Sequence, residues 1–188
     1  MSLRELAKRV SLSPSLISQI ETGKARPSVG SLYALTSALG LSLDRLFTGP
    51  DEDGGSPRHA EGQAKPDAEH PNLVVRGTRR KVIELENGVR WERLTAASHP
   101  DVDFLFVEYG PGGASATTMM RHSGKEYGIV LRGTLTVTVN FDDYQLGPGD
   151  SIAFPSTTPH RLWNAGEEAV QGIWVVTGRH RSTPAGSV

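Results

Sequence analysis

The sequence contains no cysteine. Disulfide bonds and thiolate metal sites are therefore excluded, and nothing indicates an oxidising compartment. No apolar run approaches the roughly 18 residues that a membrane-spanning helix needs, and the N-terminus begins with an amphipathic pattern instead of a signal peptide. We therefore expect a soluble cytoplasmic protein.

A strong net charge is also absent, since 20 basic and 21 acidic residues leave a formal charge of −1. This average conceals a division along the chain. Residues 1–48 carry six basic and three acidic side chains, residues 49–72 carry two and six, and residues 73–188 are balanced at twelve each. A basic head, an acidic spacer and a neutral body predict a nucleic-acid-facing end on a body that has another task.

The head has the apolar spacing of short helices. In the first helix apolar residues recur three and four positions apart, at Leu3, Leu6, Ala7 and Val10. A second helix begins at Pro14, because Ser13 before it is a typical N-cap and proline suits the first helical position. A third helix runs from a cap at Ser28 to Gly40, where it ends, and one further helical turn follows.

Two short helices joined by a tight turn form a helix-turn-helix arrangement, here with small polar side chains on the second helix. Residues 5–42 resemble the phage-repressor-type (Xre-like) DNA-binding domains. The positions that carry the resemblance are 5–10, 18–21, 27–28 and 39–42, with Ser13, Gly23 and Leu32. It implies that the helix from Pro14 to about Glu21 enters the major groove of DNA.

The resemblance also implies which side chains contact DNA. Ser15, Ser18 and Gln19 would face base edges, since glutamine suits paired hydrogen bonds with adenine. The residues that would hold phosphates, which position the protein without reading sequence, are Ser13, Thr22, Lys24 and Arg26. The alternative is that Ser13 only caps its helix and that Lys24 is a solvated loop charge.

Xre-like domains normally have a further helix before the position of Leu3, and this chain starts without it. Either the start lies upstream, or some apolar side chains lose part of their cover, namely Leu6, Leu32, Leu35 and Leu39. The loss of one helix's packing would cost several kcal/mol, which is comparable to the stability of a small domain. We therefore expect weak or partner-dependent folding of residues 1–48.

Residues 49–72 are predicted to be a flexible acidic linker, because they carry almost no apolar side chain to offset the entropy of ordering. From residue 73, short apolar or alternating runs are separated by Gly, Pro and Asn, which predicts an all-β barrel or sandwich. The predicted strands are 73–75, 81–85, 89–94, 104–109, 115–120, 127–131, 134–141, 143–146, 151–154, 161–164 and 170–177.

Two motifs in this body resemble the cupin superfamily. The second cupin motif is matched by the spacing of Gly149, Pro155, His160 and Asn164, apart from Thr157 where glycine is frequent. The first motif is matched by His122, Glu126 and Gly133, but Met120 stands where that motif has its first histidine. The resemblance implies a cupin barrel, also called a double-stranded β-helix or jelly roll, over residues 73–188.

Two imidazoles and one carboxylate, from His122, Glu126 and His160, predict a metal site. Such a set leaves coordination positions open on iron and equally suits zinc, manganese or nickel. The alternative is a barrel without metal that recognises its ligand by hydrogen bonds. A bare Glu126 in an apolar barrel would then need a partner or a raised pKa.

Met120 carries a soft thioether that suits these metals poorly, so we assign it to the apolar wall of an effector pocket. The aromatic residues predicted to line the same pocket are Phe104, Phe106, Tyr127 and Trp163. The alternative for each aromatic residue is plain core.

The two resemblances imply an α + β multidomain chain, in which an all-α helix-turn-helix bundle precedes an all-β cupin. It is similar to Xre-type regulators with a C-terminal cupin sensor. A homodimer formed through the cupin would pair two heads across a DNA operator, and a small-molecule effector would change their relation. We predict no enzymatic activity. The alternatives are a non-haem iron epoxidase of the cupin superfamily and a head-defective module that acts through protein contacts.

Overall fold

The computed structural model describes residues 1–41, 43–47, 73–97, 99 and 101–178. The predicted linker of residues 49–72 lies outside this described part, so its boundaries stay a prediction. Among the described residues, no helix is long and apolar enough to cross a membrane.

The described residues of the head form four helices, which are α1 (Leu3–Val10), α2 (Pro14–Glu21), α3 (Val29–Leu39) and α4 (Asp44–Phe47). The predicted caps are confirmed. Ser13 accepts a hydrogen bond from the Leu16 N–H at 3.1 Å, and Ser28 accepts one from the Ser31 N–H at 3.1 Å. Gly40 ends α3 with a φ of 65°, a left-handed conformation that favours glycine.

The body is an antiparallel β-structure in two sheets. Its strands are β1 (Val82–Glu84), β2 (Val89–Arg93), β3 (Val102–Tyr109), β4 (Lys125–Arg132), β5 (Leu135–Val139), β6 (Asp142–Leu146), β7 (Ser151–Pro155), β8 (His160–Trp163) and β9 (Val170–Thr177). One sheet has the order β1-β2-β3-β9-β4-β7, and the other has the order β6-β5-β8. Helices followed by a β-barrel confirm the predicted fold class.

Two of the predicted strands are wrong. Residues 73–75 are not in a strand. Residues 115–120 form no continuous ladder, because the chain bridges β8 only at the pairs Ala114–Trp163 and Met120–His160. Ser115 and Ala116 are buried while residues 117–119 are exposed, so burial here does not follow the alternation of a strand.

The third helix packs directly on the barrel. Val29, Leu32 and Tyr33 of α3 belong to the same apolar core as the interior of the barrel. The backbones also meet, since the Gly30 N–H donates to the Ser115 carbonyl at 3.2 Å. A Cβ at Gly30 would lie 3.3 Å from the Ala116 Cβ, so glycine permits this close approach.

The barrel thus packs against some of the apolar side chains of the head that were expected to lack cover. Leu32 is buried in the shared core, while Leu6 and Leu35 are buried in a second cluster around Ile17. Leu39 remains 45% exposed. The body of the same chain therefore covers the apolar side of α3, and the weak or partner-dependent folding of residues 1–48 stays a prediction.

Candidate metal centre and nucleic-acid interface

Three predicted ligands meet in the barrel interior. The Nε2 atoms of His122 and His160 lie 2.9 and 3.0 Å from Oε1 of Glu126. His122 precedes a bend at Ser123-Gly124, Glu126 lies at the start of β4, and His160 begins β8. Glu126 and His160 are fully buried, at 4% and 0% exposure.

The far sides of both imidazoles are fixed by backbone carbonyls. Nδ1 of His122 is 3.0 Å from the Ser123 carbonyl, and Nδ1 of His160 is 2.8 Å from the Thr158 carbonyl. A carbonyl only accepts, so each Nδ1 must carry a proton. In a neutral ring the Nε2 atom then presents a lone pair, and both lone pairs are directed at the Glu126 oxygen.

This arrangement needs a positive charge at its centre. Despite the short distances, none of the three facing atoms has an aligned hydrogen bond: His122 Nε2, Glu126 Oε1 and His160 Nε2 are all buried and unsatisfied. Lone pairs at 2.9 to 3.0 Å repel unless a proton or a cation lies between them. Backbone-anchored imidazoles that offer Nε2 are the usual arrangement around a metal ion.

The distances also fit a metal. Ligand bonds of about 2.1 Å at right angles bring neighbouring ligand atoms about 3.0 Å apart. The three ligand atoms all lie within 4.8 Å of one another. The cluster can therefore hold a divalent ion through two imidazoles and one carboxylate, with positions left for other ligands.

Glu126 is held ionised. Burial by itself raises the pKa of this carboxyl, but the two facing imidazoles, which act as donors and positive charges when they are protonated, outweigh burial and keep the pKa well below its usual range. Burial opposes the charged form of His160 as well, yet the Glu126 carboxylate raises the pKa of that imidazole. Both shifts express the same demand for charge neutralisation.

Trp174 is a site residue that sequence reasoning missed. Its indole N–H donates to the second oxygen of Glu126, Oε2, at 2.8 Å. Gly128 makes room for this indole, since a Cβ there would lie 2.0 Å from the Trp174 ring. The sequence offered one signal for this contact, which is the glycine within β4, because a glycine in a strand often marks the close approach of another group to the backbone.

The head closes the barrel over this cluster. The Tyr33 ring stacks on the His122 ring with centroids 4.1 Å apart and an interplanar angle of 21°. Val29 and Tyr33 also complete the wall of the interior cavity beside Glu126 and His160, which measures about 10 Å³. This space is enough for about one water molecule and not for an organic effector.

The predicted effector pocket requires a correction. Met120 lines the interior cavity. Phe104, Phe106 and Tyr127 lie on the outer face of the six-stranded sheet, because they alternate with buried neighbours such as Leu105. Trp163 alternates in the same way with the buried Leu162 and faces outward, where the Arg161 guanidinium lies over its ring at 5.6 Å. None of these four aromatic side chains lines the barrel interior.

The predicted DNA contacts are all exposed, namely Ser13, Ser15, Ser18, Gln19, Thr22, Lys24 and Arg26. They lie on α2 or in the segments next to its two ends, and Ile17 of α2 is buried against the rest of the head. Three of them also have partners within the chain, since Ser13 accepts the capping hydrogen bond from the Leu16 N–H. Thr22 donates its hydroxyl to the Ser18 carbonyl at 2.8 Å, and Arg26 lies 3.7 Å from the carboxylate of Glu84 in β1.

These features define a two-domain chain in which a helix-turn-helix head is joined to a cupin barrel. Residues 1–46 match the helix-turn-helix family, and residues 105–176 match the cupin domain family. Both predicted resemblances are thereby confirmed.

The chain is homologous to the HTH-type transcriptional regulator PuuR of Escherichia coli K12. The two are 29% identical over 185 residues, which cover 97% of this chain and 88% of the relative. A crystal structure of an HTH_3 family transcriptional regulator from Vibrio cholerae shares the fold, with a TM-score of 0.61, 19% identity and coverage of 95% of this chain and 88% of that one. An RmlC-like cupin from Shewanella frigidimarina matches 58% of this chain and 92% of its own, with a TM-score of 0.50 and 16% identity. The domain pair and the homologous regulator support a non-enzymatic role.

Proposed function

We propose that this chain is a cytoplasmic, sequence-specific DNA-binding transcriptional regulator whose cupin domain senses a small-molecule effector. The observation that carries the proposal is the free reading face of α2. Ser15, Ser18 and Gln19 are exposed even though α3 of the same head is packed on the barrel. Docking to the sensor and reading of DNA therefore use different surfaces of one small domain.

The proposed sensor contains a divalent metal held by His122, Glu126 and His160. When bound, the ion would supply a Lewis-acidic centre with open coordination positions. The residues themselves keep the carboxylate ionised, fix both imidazoles through Nδ1 and exclude bulk water. The unsatisfied Nε2 and Oε1 atoms support this assignment.

We further propose that the cupin domain forms the homodimer that presents two heads to an operator. Register aligns apolar residues in two rows across β3, β9 and β4 on the outer sheet face. The first row is Phe104, Val175 and Tyr127, and the second is Phe106, Ile173 and Ile129. Phe104, Tyr127 and Ile129 are 38%, 45% and 38% exposed, and a contiguous patch of this kind is typical of a protein interface.

The DNA-binding proposal is tested by selecting a preferred duplex from a random library and measuring its affinity by fluorescence anisotropy. Gln19→Ala should weaken binding roughly tenfold or more, because a paired glutamine–adenine contact contributes about 1–3 kcal/mol. Gln145→Ala, at an exposed position of β6, is the matched control and should not change the affinity. Absence of any selected sequence, or an unchanged affinity for Gln19→Ala, would refute the proposed reading helix.

The dimer proposal is tested by light scattering during size-exclusion chromatography. Ile129→Glu places a charge in the apolar rows and should yield a monomer. Phe141→Glu alters a side chain that is 99% exposed in the turn between β5 and β6, so it should leave the dimer intact. A dimer that survives Ile129→Glu would exclude this sheet face as the interface.

A further inference from the structure

One cleft beside the candidate metal cluster lies between the two domains. This cleft of about 300 Å³ separates the docked head from the rim of the barrel. The head contributes Arg9, Tyr33 and Ser37, and the barrel contributes Met120, Arg121 and His122. Its volume reaches the lower end of the range for small-molecule sites, about 300–1,000 Å³. The interior cavity, at about 10 Å³, does not.

The charged side chains that line the cleft are all basic. Arg9 at the end of α1 and Arg121 beside His122 both line it, and none of its lining residues is acidic. Both arginine side chains are exposed, and neither forms an ion pair with any residue of the described part of the chain. One guanidinium comes from each domain, so docking of the head brings two cations to one cleft.

The remaining lining is suited to a small organic body. Val10, Ala34 and Met120 are apolar, while Ser11 and Ser37 offer hydroxyl groups. Tyr33 and His122, whose rings stack on each other, also line the cleft. A ligand with an anionic group at each end and a short carbon chain between them matches this distribution, because guanidinium groups bind carboxylate and phosphate through paired hydrogen bonds.

We infer that this interdomain cleft is the effector site and that its ligand is a small organic anion bridging Arg9 of the head and Arg121 of the barrel. The inference rests on the proposed sensing function and specifies where sensing occurs. The anion replaces repulsion between two cations with two attractions, so it binds the docked arrangement more tightly than a released head. By linkage, DNA and the anion must change each other's affinity by the same factor.

Isothermal titration calorimetry of the full-length protein with succinate, inorganic phosphate and succinamide tests the site. Succinate should bind at millimolar concentrations or below, and neutral succinamide should not bind. Arg9→Gln and Arg121→Gln should each weaken succinate binding roughly tenfold or more, since a charge-assisted hydrogen bond contributes about 1.5–3 kcal/mol. Arg4→Gln on the same helix and Arg132→Gln on β4 are matched controls outside the cleft and should leave binding unchanged.

Phosphate distinguishes the two kinds of anionic group. Binding of phosphate alone, lost in both cleft variants, assigns a phosphorylated ligand to the same site, and binding of succinate assigns a carboxylate. No binding of either anion, or binding that the cleft variants leave unchanged, overturns the inference. Arg9→Lys and Arg121→Lys keep the charge and should retain part of the affinity, which separates loss of the contact from loss of folding.

The outcome is independent of the DNA-binding test. If DNA binding depends on Gln19 while no anion binds, the regulator stands and the cleft site fails. If anions bind through Arg9 and Arg121 while no DNA is bound, the cleft site stands and the regulator fails.

Discussion

Replacement of Tyr33 by alanine tests whether the head and the barrel form one packed unit. Tyr33 is 5% exposed, and it contacts two aromatic rings of the barrel. The ring centroids are 4.1 Å apart in the stack of Tyr33 on His122 and 5.7 Å apart in the contact between Tyr33 and Trp91. Truncation of a buried aromatic residue costs about 3–5 kcal/mol, of which each ring pair accounts for about 0.5–1.5 kcal/mol. Most of that loss should fall on the contact between the domains.

Urea unfolding with two probes measures the effect. All three tryptophans, Trp91, Trp163 and Trp174, lie in the barrel, so fluorescence follows the body, while far-ultraviolet circular dichroism follows mainly the helices of the head. In the unmodified protein the two signals should change together. In Tyr33→Ala the helical signal should disappear first, at a midpoint lower by about 2 M if the slope is about 2 kcal/mol/M.

Two controls define the interpretation. Tyr33→Phe keeps the ring and should retain most of the coupling. Tyr144→Ala removes a tyrosine that is 46% exposed on β6 and should change stability by less than about 1 kcal/mol. Separate transitions in the unmodified protein, or a Tyr33→Ala variant as stable as Tyr144→Ala, would refute the shared core.

Three further predictions concern the candidate metal centre. Gly128→Ala should destabilise the barrel by about 1–3 kcal/mol or more, because the added Cβ would lie 2.0 Å from the Trp174 ring; Gly147→Ala, with its nearest neighbour at 3.6 Å, is the control in thermal melts. His160→Ala leaves the buried charge of Glu126 without one partner and should lower the free energy of unfolding, measured in the presence of a chelator, by about 3–5 kcal/mol. Without chelator, elemental analysis of this variant should find no stoichiometric metal, and retained metal would exclude His160 as a ligand. In chelator, melting temperatures should be highest between the ordinary pKa values of Glu126, 4.5, and His160, 6.5. Above 6.5 the stabilisation is lost as the pH rises through the raised pKa of His160, and below 4.5 it is lost as the pH falls through the lowered pKa of Glu126; a profile that is flat across both limits would contradict the pairing.

The approach of His122, Glu126 and His160 could be predicted because the two motifs that contain them have a recognisable spacing. His122 and Glu126 flank one bend, and the motif around His160 places a third donor on a later strand. The effector pocket could not be predicted in this way. In β3, apolar residues occupy both faces of the strand, so the sequence does not reveal that Leu105 points inward and Phe104 outward. Only pairing with β9, and the fact that the other sheet covers one face, decides this.

The sequence by itself determined the helix boundaries of the head, most strands of the barrel and the three candidate metal ligands. Helix caps, turns and motif spacings involve residues that are close in the chain, so they can be recognised from the sequence. The tertiary structure alone decided that α3 closes the barrel, that Tyr33 stacks on His122 and that Arg9 and Arg121 share a cleft. These contacts join residues far apart in the chain, and their geometry depends on how two finished domains pack.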